Sequence, residues 1–143
     1  MPDACDLPLP RRILLLGSGE LGKELTISLQ RLGREVVAVD SYDGAPAMQV
    51  ADSRRVLDMT DPEALADLLE EVRPDLVVPE VEAIATDALV AYEAATGRRV
   101  VPNAFAVRAT MDRQRIRALA ASLPGVRTST FRFASSAREL REA

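Results

Sequence analysis

Apolar and polar positions follow two rhythms along this chain, and they alternate. Residues 13–16 (ILLL) are an unbroken apolar run, the mark of a strand buried on both faces. Residues 20–32 change to a helical period that puts Leu21, Leu25, Leu29 and Leu32 on one face, and Gly33 stands where such a helix would stop. Residues 35–39 (EVVAV) predict a second strand ending at Asp40. Residues 41–49, with Gly44 and Pro46, predict a loop, and a short third strand is expected at 55–57. Asp61-Pro62-Glu63 is a helix start, a capping residue followed by proline at the first helical position, and the helix should run to about residue 72. A fourth strand is predicted at 75–78, ending in Pro79-Glu80. A helix follows at 84–95 with Gly97 behind it, and then a fifth strand at 99–101.

Strand and helix in strict alternation require right-handed crossovers. The predicted fold class is therefore α/β: a Rossmann-like open, mostly parallel five-stranded sheet in residues 12–102, with helices on both faces. The pattern changes after Pro102. Residues 104–109 and 111–121 read as helices, residues 128–133 alternate like a strand, and Ser136-x-x-Glu139 is a capping box that opens one more helix. The chain stops soon after, so residues 109–143 are expected to be the start of a second domain whose remainder is missing. The expected organisation is a loose leader at 1–10, a Rossmann-like domain at 11–108, and this partial domain.

Composition narrows the choices. Apolar residues make up 48% of the chain and aromatics only 3%, so the core must be built from Leu, Val, Ile and Ala. A net charge of -4 with no basic tail argues against a nucleic-acid partner, and the scattered arginines suit solvated helix faces. Cys5 is the only cysteine and there is no histidine, which excludes an intrachain disulfide and histidine-assisted catalysis and argues against a zinc site. No apolar run has the length of a membrane span. Residues 1–10, with three prolines and two acids, are unlike a signal peptide. No membrane partner is expected, and the expected compartment is the cytoplasm.

The candidate chemistry lies at the first strand–helix junction. Gly17, Gly19 and Gly22 have the spacing G-x-G-x-x-G, which lets backbone turn tightly, approach a ligand and pack helix against sheet. One reading is a nicotinamide site, with Asp40 at the end of the second strand binding a ribose hydroxyl. Against it stand Glu20, whose charge would repel a pyrophosphate at the turn, and the lack of hydride-transfer machinery in a chain whose only lysine is Lys23. A second reading makes the glycines a tight turn and nothing more.

Four segments carry a resemblance: GSGELGKEL (17–25), AVDSYDGAPAMQVAD (38–52), VVPEVEAIATDALV (77–90) and TMDRQRIRALAA (110–121), followed by TSTFRFA (128–134). In this order and at these spacings they resemble the amino-terminal portion of the formate-dependent phosphoribosylglycinamide formyltransferases, purine-synthesis enzymes of the ATP-grasp superfamily. The likeness runs over residues 11–143. It implies a pre-ATP-grasp domain followed by the beginning of an ATP-grasp subdomain. It also implies an enzyme that uses ATP and Mg2+ to activate formate as formyl phosphate and transfers the formyl group to the amine of glycinamide ribonucleotide, in a homodimer.

By the same resemblance, Glu20, Leu21 and Glu80 match substrate-binding positions and Arg113 matches an ATP-binding one. The catalytic lysines and magnesium-binding acids of that family match nothing here, so no catalytic or metal-binding residue is expected in this chain, and alone it is expected to be inactive. Leu21 is expected to face the core and to serve through its backbone N–H. Glu80 or Glu82 could instead simply cap the next helix, and Asp40 and Asp87 read as structural. Three alternatives remain at this point: the equivalent domain of a related carboxylase, a nicotinamide-binding module, and a non-catalytic oligomerisation domain.

Overall fold

The computed structural model describes residues 9–143, so most of the predicted leader, including Cys5, lies outside the described residues. The chain divides into two compact units, Met1–Val107 and Arg108–Ala143.

The first unit is built on a five-stranded parallel sheet in the order β3-β2-β1-β4-β5. Its strands are β1 (Arg12–Leu16), β2 (Glu35–Asp40), β3 (Ser53–Val56), β4 (Leu76–Pro79) and β5 (Arg99–Val100). β1 occupies the centre, which is why its ILLL run is wholly buried. It pairs with β2 from Arg12↔Glu35 to Leu16↔Val39, and with β4 from Ile13↔Leu76 to Leu16↔Pro79.

Helix α1 (Glu20–Arg31) joins β1 to β2, and a 3₁₀ turn, Pro46–Gln49, packs beside it where a plain loop was predicted. Helices α2 (Pro62–Val72) and α3 (Thr86–Thr96) carry the chain back across the sheet and pack against each other. Because the chain reverses direction after β3, right-handed crossovers put α1 on one face of the sheet and α2 and α3 on the other.

Local chemistry accounts for these ends. Asp61 caps α2 by accepting from the N–H groups of Glu63 (2.9 Å) and Ala64 (3.2 Å). α2 buries Leu65, Leu68, Leu69 and Val72, and α3 buries Leu89 and Tyr92, whose hydroxyl donates to the Pro74 carbonyl at 2.9 Å. Helix α4 (Ala104–Met111) begins where Glu93 accepts from the N–H groups of both Val100 (2.9 Å) and Ala104 (3.0 Å).

One predicted face is wrong. Leu21 is 76% exposed and Leu32 68% exposed, whereas Gly22 and Thr26 are buried and Leu25 and Leu29 pack on the core. The buried stripe is rotated because Gly22, lacking a side chain, lets the first turn of α1 come down on Leu15 and on the Gly17 carbonyl; a β-carbon there would lie 3.2 and 3.1 Å from them. Element bounds shift as well. β3 begins at Ser53 rather than at residue 55, and α3 begins at Thr86 rather than at residue 84.

The second unit holds the end of α4, then α5 (Arg113–Ser122) and α6 (Ala137–Glu142). Asp112 caps α5 through the N–H groups of Gln114 (2.8 Å) and Arg115 (3.1 Å). At α6 the Ser136 hydroxyl accepts from the Glu139 N–H, and Glu139 reaches back to the N–H and hydroxyl of Ser135, one residue earlier than a standard capping box. Residues 128–133 are not a strand. Their alternation is real, but no described strand lies in register to satisfy a ladder, and a lone strand has no backbone partners. The segment is held by side chains instead. The Arg117 guanidinium donates to the hydroxyls of Thr128 (3.2 Å) and Ser129 (2.6 Å), and the rings of Phe131 and Phe133 meet at 5.3 Å.

Candidate functional site

The strand order reverses at β1. In an open parallel sheet the crevice for a ligand opens at such a point, outside the carboxyl ends of the diverging strands. Here those ends belong to β1 and β4, and they carry the glycine turn and Glu80.

The turn is built from backbone bonds. The Gly17 N–H donates to the Val39 carbonyl (3.0 Å), and the Ser18 carbonyl accepts from the Ala47 N–H (2.8 Å). Ser18 is completely buried; its hydroxyl donates to the Val39 carbonyl (2.9 Å) and its N–H to Asp40 Oδ2 (2.8 Å). Asp40 Oδ1 accepts from the Ser41 N–H at 2.7 Å.

The three glycines differ. Gly17 has φ +101°, a conformation open to glycine, and a β-carbon there would collide with Val81 Cγ1 at 2.6 Å. Gly22 serves the close packing described above. Gly19 has φ −69° and ψ −166°, which any residue can adopt, and a β-carbon there would meet nothing within 4 Å. Gly19 is also the N-cap of α1, and as glycine it provides no side-chain cap.

Glu80 directly follows β4, and its N–H donates to the Leu16 carbonyl at 2.7 Å. Its carboxyl group is held above the usual range, first by partial burial and then by the negative charges of Asp40, Glu20 and Glu82. Neither Glu80 nor Glu82 caps α3, which begins after Ala85 without a side-chain cap. Glu20 opens α1 beside the crevice, and the Leu21 side chain projects into solvent. Four carboxylates around one crevice disfavour a pyrophosphate along the turn and favour a ligand that presents an amine and hydroxyls.

Glu20 and Glu80 thus face one another at the switch point, with Leu21 next to Glu20 on α1 and its side chain in solvent. Arg113 belongs to the second unit, at the first turn of α5. Its neighbour Arg115 pairs with Asp112 at 3.3 Å, while Arg113 itself forms no ion pair among the described residues. Sequence reasoning missed the structural part of Ser18 and the wall formed by Val81. A small polar residue between two glycines, one strand away from Asp40, was the available signal for Ser18.

An open parallel sheet with a glycine turn and a strand-end acid at its switch point defines a Rossmann-like ligand-binding domain. More narrowly, the chain belongs to the ribonucleotide synthetase preATP-grasp domain family, which matches residues 11–111. It is 57% identical over 136 residues to a formate-dependent phosphoribosylglycinamide formyltransferase of Xanthomonas campestris pv. campestris, covering 95% of this chain and 34% of that protein. A solved structure described as glycinamide-RNase-transformylase T from Mycobacterium tuberculosis superposes with a TM-score of 0.81 at 46% identity, covering 92% of this chain and 38% of the other. An N5-carboxyaminoimidazole ribonucleotide synthetase in its ADP complex superposes with a TM-score of 0.74 at 25% identity, covering 93% and 34%. The chain spans about a third of the length of the curated relatives it matches. Among the described residues, no helix is long and apolar enough to cross a membrane.

Proposed function

We propose that this chain is the amino-terminal, substrate-binding part of an ATP- and formate-dependent glycinamide ribonucleotide formyltransferase that acts in cytoplasmic purine synthesis as a homodimer. The observation that carries the reading is the convergence of Glu80 and the glycine turn at the switch point between β1 and β4.

In this reading Glu80 accepts hydrogen bonds from the amine or ribose hydroxyls of the ribonucleotide. Glu20 contributes a second carboxylate, and Leu21 contributes its backbone N–H at the free end of α1. The amine so held attacks the formyl carbon of formyl phosphate, made from formate and ATP with release of ADP, and displaces inorganic phosphate as it loses a proton. Arg113 meets the nucleotide, its guanidinium free of ion pairs for a phosphate. Among the described residues no group of three or more His, Cys, Asp or Glu could hold a metal ion. In this reading the metal and the catalytic groups belong to the part of the longer relatives that this chain does not match, and the chain by itself transfers no formyl group.

The test is a chimaera in which this sequence replaces the segment it matches in the Xanthomonas relative. Formate- and ATP-dependent formylation of glycinamide ribonucleotide is expected. Glu80→Ala should raise the KM for the ribonucleotide about ten- to hundredfold, the cost of losing a charge-assisted hydrogen bond in a partly desolvated crevice. An active chimaera whose ribonucleotide KM ignores Glu80→Ala would reject the assignment.

A further inference from the structure

Asp40 is the charged group most closely built into the crevice, and its two oxygens face backbone donors on two different segments. Oδ2 takes the Ser18 N–H from the glycine turn, and Oδ1 takes the Ser41 N–H just past β2. Every polar group of Ser18 is thereby satisfied: its N–H by Asp40, its hydroxyl by Val39 and its carbonyl by Ala47. Ser18 is completely buried and cannot exchange these partners for water. The residue before it, Gly17, is the surface on which Glu80 lies, because a β-carbon on Gly17 would come within 2.9 Å of Glu80 Oε2. Asp40 therefore ties the floor beneath Glu80 to the end of β2.

We propose that Asp40 is a positioning residue for the ribonucleotide site, pinning the glycine turn to the end of β2 and keeping a fixed negative charge beside Glu80. The proposal rests on the reading of Glu80 as a ribonucleotide ligand. The groups facing Glu80 are Glu20 from α1, Asp40 from the end of β2 and Glu82 from its own loop, all acidic, and burial acts in the same direction. Each holds the Glu80 carboxyl in its protonated form to a higher pH. Affinity for an amine then falls as pH drops through the raised pKa of Glu80, and removing the charge at Asp40 moves that fall to lower pH.

The experiment is a carbon-detected NMR titration of the Glu80 carboxyl in this chain, wild type against Asp40→Asn, with calorimetric titration of glycinamide ribonucleotide across the same pH range. In Asp40→Asn the Glu80 midpoint should move down and the acid limb of ribonucleotide affinity should move with it. At neutral pH affinity should drop severalfold, because one backbone N–H of the turn or of Ser41 now faces an amide N–H2. Asp40→Glu, which keeps the charge but misplaces it, should weaken binding with a smaller shift of the Glu80 midpoint. Glu24→Gln, on an exposed part of α1, should change neither. Should the variants not fold, hydrogen exchange in the wild-type chain decides, since the Ser18 and Ser41 N–H groups held by Asp40 should be protected equally with and without ribonucleotide. Ribonucleotide binding with a Glu80 midpoint that ignores Asp40 overturns the proposal alone. Absence of any ribonucleotide binding by the wild-type chain overturns the reading of the site, and the proposal with it.

Discussion

The Glu80 carboxylate lies directly over the α-carbon of Gly17, so closely that a β-carbon on Gly17 would sit 2.9 Å from Glu80 Oε2. Two requirements meet at this glycine, a left-handed backbone and room for the strand-end acid. The first belongs to the turn and the second to the crevice, so one position couples the fold to the binding surface.

Gly17→Ala should therefore damage both. The φ of +101° and the contact with Val81 Cγ1 should cost about 1–3 kcal/mol of stability, read as a lowered urea midpoint. Glu80 should also be pushed aside, so that ribonucleotide affinity falls further than a stability loss alone would produce in a sample that remains folded. Full affinity in the folded variant would show that the contact between the two residues is incidental.

Gly19→Ser should separate the two requirements. The backbone at Gly19 suits a capping serine, and a serine hydroxyl could accept from the N–H groups at the start of α1 that now lack a side-chain cap. Stability should rise by about a few tenths of a kcal/mol. Ribonucleotide affinity should fall, because the new side chain enters the open space in front of the turn. A stabilised variant with undiminished affinity in calorimetry would show that the ligand does not use that space.

At the opposite end of the sheet, Asp75 fastens β1 to β4. Its Oδ2 accepts from the N–H groups of Arg11 (2.9 Å) and Arg12 (3.0 Å), and its Oδ1 accepts from the Arg98 guanidinium at 2.5 Å. The Arg12 N–H above all, with Arg11 and Arg98 adding, holds its carboxyl below the ordinary value against the opposing effect of burial. An acid with a depressed folded pKa lends stability above its unfolded pKa and loses it as pH falls through the folded value. Asp75→Asn should cost about 1–2 kcal/mol at pH 7, with the partial solvation of the carboxylate keeping the figure low. The gap to wild type should close in strongly acidic solution. Thermal melts at several pH values would measure it, and a gap that widens on acidification would contradict the assigned direction.

The alternation of strand and helix was legible because β1, β2 and β4 are short apolar runs bounded by glycine, proline or an acid, whereas the exposed SRRV of β3 was placed two residues late. Parallel strands buried on both faces leave little room for ambiguity. Leu21 was misread because helical periodicity assumes that each apolar residue marks the buried face. Here two residues without large apolar side chains, Gly22 and Thr26, occupy that face, and Thr26 satisfies its own hydroxyl by donating to the Gly22 carbonyl at 2.8 Å. Residues 128–133 were misread for the opposite reason, since alternation shows a preference for extended backbone but cannot supply a partner strand. The crevice was only half legible. The glycine spacing marked the turn, but its meeting with Glu80 depends on β4 lying beside β1, a long-range pairing that no local pattern encodes.

That pairing also sets an order of events. β2 follows β1 after a single helix, whereas β3 and α2 also lie between β1 and β4 along the chain. Contacts across long stretches of chain carry the larger closure entropy and form late. The bond from the Glu80 N–H to the Leu16 carbonyl belongs to that late step, so the turn can exist before the crevice does. A substitution in α2 that delays the return of β4 would leave the crevice unformed for longer without altering a single residue that lines it.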